Sequence, residues 1–133
     1  MLNNLKLHHI GYVVTDIKNT AKEFELLGFS VGEILYDQKL TVELCYLEKQ
    51  GSTPVELVSQ HNRESLEQQL FDKNGVMPYH LCFESSDIFT TVKDLESNGY
   101  KRLFDPVEVA ALGDKKICYL YKKAIGYIEL VEE

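Results

Sequence analysis

Hydrophobic and polar residues follow two spacings along the chain, which predict short strands and amphipathic helices. Residues 9–14 and 80–84 are apolar, β-branched or aromatic runs, and each is followed by an aspartate suited to cap a helix, Asp16 or Asp87. Beyond each aspartate, apolar residues recur every three or four positions, which predicts one buried helical face. They are Ile17, Ala21, Phe24 and Leu27 in the first helix and Ile88, Val92 and Leu95 in the second.

Three further extended segments follow each predicted helix. They span residues 30–35, 40–48 and 54–58 after the first helix, and 101–104, 115–122 and 127–131 after the second. Residues 59–78 between them are polar, with Leu66, Leu70 and Phe71 spaced for one short helix. Each half therefore reads strand, helix and three strands.

The two halves are copies of one another. Residues 7–29 align without a gap on residues 78–100 at an offset of 71, which matches His9 with His80. Cys45-Tyr46-Leu47 recurs as Cys118-Tyr119-Leu120 at an offset of 73, so we expect a two-residue loop insertion in the second copy. The sequence predicts an α+β fold, with two βαβββ modules in tandem at about 7–58 and 79–131. A connection at 59–78 would join them within one domain, 1–133.

Composition and charge exclude several classes of protein. The chain has 133 residues and a formal net charge of −7, the wrong sign for binding a phosphate backbone, so we expect no nucleic-acid partner. We find no signal peptide and no apolar run long enough to span a membrane, which predicts a cytoplasmic protein with no membrane partner. The three cysteines lie in apolar strand-like runs, which favours buried reduced thiols.

Two histidines and two glutamates at matching positions are the main chemical signal. His9 and His80 lie in the first strand of each module, and Glu56 and Glu129 in the last. A carboxylate in an apolar strand is costly unless a charge compensates it, and a metal ion would compensate both. Two imidazoles and two carboxylates suit a divalent ion such as Ni, Co, Zn, Mn or Fe(II). Strand alternation places His9 opposite the face that the first helix covers.

Simpler interpretations apply to each residue alone. A single strand histidine is more often a core or edge residue than a ligand, and a single strand glutamate usually faces water. Recurrence of all four at matching offsets makes us favour metal binding. We expect neither His8 nor His61 to be a ligand. Four lysines of the second half could hold an anionic substrate, although we favour a role in protecting a sheet edge. They are Lys115, Lys116, Lys122 and Lys123.

Five segments together resemble the vicinal-oxygen-chelate superfamily, which includes glyoxalase I, methylmalonyl-CoA epimerase, extradiol dioxygenases and bleomycin-resistance proteins. These segments are residues 9–14, 27–29, 55–57, 79–82 with 87–88, and 128–130. The resemblance implies paired βαβββ modules whose curved mixed sheet forms a cleft around one divalent ion. It implies His9, Glu56, His80 and Glu129 as the ligands, and a homodimer. The modules that close the site could belong to one chain or be exchanged between two.

The same resemblance implies an enzyme that moves a proton beside a metal-bound carbonyl through an enediolate. Glu129 would be the catalytic base, and Asp37 is the nearest match to a further acidic residue of the epimerase. We favour a lyase of the glyoxalase I type, acting on the hemithioacetal of a 2-oxoaldehyde, that is, a small-molecule thiol adduct. The alternatives are an epimerase that acts on an acyl-CoA and a metal-free protein of the bleomycin-resistance type.

Overall fold

The computed structural model describes residues 2–133, which divide into two compact units. One unit comprises residues 9–79, and the other comprises the residues up to 8 together with residues 80–133. This division follows the two halves of the duplicated sequence.

The first unit contains four strands and two helices. They are β1 (Lys6–Val13), α1 (Ile17–Leu26), β2 (Ser30–Asp37), β3 (Val42–Glu48), β4 (Val55–Gln60) and α2 (Leu66–Asn74). The strands pair in the order β2-β3-β4-β1, with β1 and β4 parallel and the other pairs antiparallel. The long crossover from β1 to its parallel neighbour β4 passes through α1 and the β2-β3 hairpin.

Helix α1 begins and packs as its sequence predicts. The Asp16 side chain accepts a hydrogen bond from the backbone amide of Asn19 at 3.1 Å, which satisfies one of the free amides of the first turn. Past the C-terminal end, Gly28 has a φ of +95°, a left-handed conformation that favours glycine. The apolar face of α1 packs on one face of the sheet. The buried residues of this core are Val14, Ile17, Ala21, Cys45, Leu47, Val55 and Leu57.

The second unit repeats this arrangement with one more strand. Its elements are β5 (Met77–Ser85), α3 (Ile88–Ser97), β6 (Lys101–Arg102), β7 (Val107–Val109), a 3-10 turn (Ala110–Leu112), β8 (Lys115–Lys122) and β9 (Gly126–Glu132). The strand order is β5-β9-β8-β6, and β7 also pairs with β8. Helix α3 covers one face through a core of Ile88, Val92, Leu95, Cys118, Leu120, Ile128 and Leu130.

Strands β6 and β7 together correspond to the single strand β2. Arg102 pairs with Leu120 as Val31 pairs with Leu47, and Val107 pairs with Ile117 as Leu35 pairs with Leu44. β2 bridges the corresponding stretch with a bulge between Val31 and Ile34. In the second copy the strand is interrupted at residues 103–106, where Leu103 keeps one backbone hydrogen bond to Tyr119. The offset between the copies thus grows from 71 to 72 here and reaches 73 at β8. The two-residue insertion is therefore split between this stretch and the following turn.

The predicted α+β class and the two copies of the βαβββ order are confirmed, with a short helix α2 in the connection as expected. The second copy differs because its second strand is broken into β6 and β7. Cys45, Cys82 and Cys118 are buried free thiols, as predicted. No helix within residues 2–133 is long and apolar enough to cross a membrane.

Candidate metal centre

The sheet of the first unit presents His9 and Glu56 on the face that α1 leaves open. Tyr12 and Val14 pack against the α1 core, so alternation directs His9 to the other face, as predicted. On β4, Val55 and Leu57 belong to that core, and Glu56 between them faces away from the helix. Because β1 and β4 are parallel neighbours with Gly11 opposite Glu56, His9 lies diagonally across from the glutamate.

The two side chains form a buried pair. The Nε2 atom of His9 lies 3.3 Å from Oε1 of Glu56, and the residues are 1% and 4% exposed. Such burial removes both groups from water, which is unfavourable for a carboxylate unless a proton, a cation or hydrogen bonds compensate its charge. The pair is therefore a position where a cation would be stabilised.

The second unit builds the same pair from the equivalent strands. Ile128 and Leu130 pack against α3, so Glu129 between them faces away from that helix. Strand β9 places Glu129 opposite Cys82, two residues beyond His80 on β5. The Nε2 atom of His80 lies 3.1 Å from Oε1 of Glu129, and each residue is 3% exposed. The duplication thus extends from the sequence to the side-chain geometry.

A tyrosine accompanies each pair, and the sequence reasoning did not assign it to the site. Tyr46 lies directly across from Glu56 on β3, and Tyr119 lies directly across from Glu129 on β8. The ring centroids of Tyr46 and His9 are 5.4 Å apart, and those of Tyr119 and His80 are 5.3 Å apart. The recurring Cys-Tyr-Leu triplet was the available signal, because its tyrosines alternate with residues of the helix-covered core.

The donor atoms of each pair fit a divalent transition-metal ion. Each pair offers one imidazole nitrogen and one carboxylate oxygen, a mixed set that suits Zn, Ni, Co, Mn or Fe(II) and lacks the thiolates of a soft-metal site. Two ligands do not complete a coordination shell, so one pair alone would bind such an ion weakly. The structure places His9 with Glu56 and His80 with Glu129, which are the four predicted ligand positions.

Asp37 lies on the same face as Glu56 but further along the sheet. It pairs with Val42, which is four residues from Tyr46, about 13 Å along strand β3. Its carboxylate is buried, and Oδ1 accepts a hydrogen bond from the backbone amide of Leu40 at 3.0 Å. The second unit has Val109 at the corresponding position, so this carboxylate is not part of the duplicated set. The observed hydrogen bond holds the β2-β3 turn.

The other candidate residues lie mainly at the surface. His61 is exposed, with Nε2 2.7 Å from Oε1 of Glu43, and it packs against the ring of Tyr36. His8 is half-buried on β1. Lys116 lies within 4 Å of the carboxylates of Glu108 and Glu132. Lys122 donates a hydrogen bond to the backbone oxygen of Asn98, so both of these lysines have structural contacts of their own.

Comparison with known families identifies one match over most of the chain. The model of the glyoxalase/bleomycin resistance protein/dioxygenase superfamily matches residues 8–119, in agreement with the resemblance found in the sequence. A comparison with curated proteins gives no significant match.

Solved structures of similar fold cover nearly the whole chain. A hypothetical protein from Bacillus halodurans has a TM-score of 0.84 at 23% identity, over 98% of this chain and 95% of its own. Methylmalonyl-CoA epimerase from Mycobacterium tuberculosis has a TM-score of 0.81 at 21% identity, over 95% and 86%. A variant of the Streptomyces coelicolor epimerase, in complex with 2-nitronate-propionyl-CoA, has a TM-score of 0.83 at 20% identity, over 96% of each chain. At these identities the similarity establishes the glyoxalase-like fold alone.

Proposed function

We propose that this chain, which belongs to the glyoxalase/bleomycin resistance protein/dioxygenase superfamily, is a divalent-metal-dependent lyase or isomerase. The observation that carries the proposal is the pair of buried His–Glu contacts at equivalent places in the two units. A single such contact can be purely structural. Two contacts on equivalent strands, with equivalent neighbouring residues, indicate a functional site.

His9, Glu56, His80 and Glu129 would together hold one ion, because each pair supplies two of the four ligands that such a site needs. Bound there, a divalent ion would supply Lewis-acid chemistry, withdrawing electron density from a carbonyl oxygen so that a neighbouring C–H bond becomes more acidic. Ni, Co, Zn and Mn are the candidate metals, since all accept mixed nitrogen and oxygen ligands.

Glu129 is the residue proposed to move the proton. Its carboxylate is 3% exposed, so few water molecules compete with a substrate for its oxygens. The Nε2 atom of His80 lies 3.1 Å from Oε1 of Glu129. In the proposed reaction Glu129 takes a proton from the carbon beside the carbonyl group. In a lyase it returns the proton to the neighbouring carbon, the former carbonyl carbon. In an epimerase a second acid protonates the same carbon from the opposite face, which is the role proposed for Asp37.

Two substrate classes remain in the proposal. The first is the hemithioacetal of a 2-oxoaldehyde, the substrate of a glyoxalase I-type lyase. The second is a methylmalonyl-CoA-type thioester, and it gains support from the epimerases of similar fold. The catalytic role of Asp37 is proposed only for the second class. Asp37→Asn preserves an oxygen for the Leu40 amide, so a loss of turnover without loss of stability would support that role.

The experiment that tests the proposal is metal analysis of protein purified without chelators. We expect about one ion per chain by mass spectrometry, its removal by EDTA, and its return on loading with Ni, Co, Zn or Mn. The reloaded protein would then be assayed for hemithioacetal isomerisation and for methylmalonyl-CoA epimerisation. Turnover that depends on the added metal identifies the reaction.

Matched variants distinguish the proposed ligand histidines from a histidine outside the site. His9→Ala and His80→Ala should each lose the ion, whereas His61→Ala should retain it because His61 is exposed and outside both pairs. A wild-type protein that takes up none of the four metals would refute the proposal. Ligand binding that survives EDTA would then assign the chain to the metal-free binding proteins of the superfamily.

A further inference from the structure

We propose that Tyr46 and Tyr119 are positioning residues that fix the imidazole rings of His9 and His80 for metal binding. The inference rests on the proposed metal site and adds two residues to it. It follows from ring contacts and strand register that occur independently in each unit.

In the first unit, Tyr46 packs against the imidazole at right angles. The two ring planes meet at 76° with centroids 5.4 Å apart, an edge-to-face arrangement that aromatic rings prefer. Tyr46 is also the direct cross-strand partner of Glu56, so one tyrosine side chain borders both members of the His9–Glu56 pair. A rotation of the His9 ring about its χ2 angle would break this packing.

In the second unit, Tyr119 occupies the equivalent place. Its ring lies 5.3 Å from that of His80 at an angle of 50°, and it is the direct cross-strand partner of Glu129. The ring of Phe104 packs on Tyr119 with a centroid distance of 5.6 Å. The three rings therefore form a continuous row of tilted ring contacts that ends at the histidine.

The backbone beneath each tyrosine is held by a matching contact. The Cys45 thiol donates to the backbone oxygen of Gly32, and the Cys118 thiol donates to the backbone oxygen of Phe104. At Gly32 an added Cβ would lie 2.8 Å from the backbone oxygen of Tyr46, so only glycine permits this approach. These contacts restrict the movement of the backbone that carries each tyrosine.

The physical consequence concerns the entropy and geometry of metal binding. A histidine that binds a metal must present one ring nitrogen along a fixed direction, and the groups that restrict its ring raise the affinity. Loss of a hydrogen-bonding partner that orients a ligand histidine typically weakens metal binding by roughly 10- to 100-fold, and we expect loss of the ring packing to act in the same direction. The packing uses the face or edge of the tyrosine ring, so phenylalanine should substitute for it and leucine should not.

The test compares ring-retaining with ring-removing variants by metal affinity. Tyr46→Leu and Tyr119→Leu should weaken Co²⁺ binding by roughly tenfold or more in competition with a chelating dye. Tyr46→Phe and Tyr119→Phe should bind Co²⁺ within about threefold of wild type. Tyr12→Leu and Tyr100→Leu are the controls, since these half-buried tyrosines pack with the α1 and α3 cores and not with either pair. The d–d absorption of bound Co²⁺ provides a second measurement, because it reports the ligand geometry.

The outcomes separate this inference from the proposed function. If wild-type protein binds no Co²⁺, the metal site is refuted and the role of the tyrosines with it. If wild-type binds and the leucine variants bind as tightly as the controls with an unchanged spectrum, the positioning role alone is refuted. If a leucine variant does not fold, its phenylalanine counterpart still decides: weakened binding there would refute ring packing and indicate the hydroxyl group instead.

Discussion

The side chain of Lys49 donates a hydrogen bond from Nζ to the backbone oxygen of Leu27 at 2.9 Å, at the C-terminal end of α1. The same ammonium lies 5.9 Å above the ring of Phe29. A lysine that directly follows β3 thereby satisfies a carbonyl that the helix leaves without an intrahelical partner, and places a positive charge where the helix dipole is negative.

The second unit repeats this relationship with different residues. Lys122 on β8 donates to the backbone oxygen of Asn98 at 2.7 Å and lies 5.4 Å above the ring of Tyr100. Lys122 corresponds to Lys49 at the offset of 73, although Asn98 replaces Leu27 at the helix end. Since only the backbone oxygen is used, the contact survives a change of that side chain.

We predict that Lys49→Met and Lys122→Met each reduce the free energy of unfolding by about 0.5–1 kcal/mol. Methionine retains most of the apolar stem and removes the charge and the donor. Urea denaturation at low salt measures the loss. Lys22→Met, on an exposed position of α1, should change stability by less than about 0.5 kcal/mol. Equal losses in all three variants would show that the caps contribute nothing specific.

We predict that Glu129→Gln abolishes most of the turnover, while Glu56→Gln acts mainly on metal affinity. Glutamine retains an oxygen that can face the ion but cannot accept the proton, so kcat should fall by about 100-fold or more. Steady-state kinetics at saturating metal separate the two effects. A Glu129→Gln enzyme with wild-type kcat, or an equal loss of kcat in Glu56→Gln, would contradict the assignment of the base to Glu129. Complete inactivity of Glu129→Ala is expected on the same grounds.

We predict that the three thiols react slowly in the native protein. Burial raises the pKa of Cys45 above its ordinary value and raises that of Cys118 to about 11, so these two side chains are mainly unreactive thiols near pH 8. Cys82 is fully buried, which keeps the reagent from its sulfur. Ellman's reagent should therefore label three thiols rapidly only after unfolding in guanidinium chloride. Ser52→Cys at an exposed loop should add one fast-reacting thiol to the native protein. Fast native labelling of Cys118 would contradict the burial argument.

Most of the fold could be predicted, as could the four positions that the structure brings into two buried His–Glu contacts, because the duplication presents each weak signal twice. A single histidine or glutamate in a strand says little about function. His9 and His80 at matching offsets, in contrast, indicate a shared role. Strand boundaries were predicted less accurately than the order of the elements. Strand β1 begins at Lys6 and not at residue 9, because backbone pairing can extend a strand through residues that lack an apolar pattern.

The broken second strand of the later module was not predicted, for a physical reason. Residues 101–104 resemble a strand by composition, yet the strand ends at Arg102, and Leu103 adds a single backbone hydrogen bond to Tyr119. The Arg102 guanidinium binds Glu96 on α3 and Asp105 beyond the strand, and Pro106 has no amide to donate. These contacts depend on the tertiary structure, as do the ring contacts of Tyr46 and Tyr119, which look like ordinary strand aromatics in the sequence.

We predict that Asp87 makes the stability of the protein depend on acidic pH. The Thr90 hydroxyl and amide donate hydrogen bonds to the Asp87 carboxylate at the start of α3, which lowers the pKa of that carboxyl below its ordinary value. A carboxyl with a lowered pKa in the folded state stabilises the protein above its unfolded pKa, and this contribution is lost as pH falls through the folded pKa. The contribution should therefore be present at pH 5 and decline below about pH 4.

The matched variants for this prediction are Asp87→Asn and Thr90→Val. Asp87→Asn still offers an oxygen to cap the helix but cannot titrate, so its free energy of unfolding should depend less steeply on pH between pH 5 and pH 3 than that of wild type. Thr90→Val removes the hydroxyl donor that contributes most to the lowered pKa, and it should flatten the same region in part. Urea unfolding followed by circular dichroism over this range measures both slopes. Identical slopes in wild type and Asp87→Asn would mean that the acid sensitivity arises from other carboxylates.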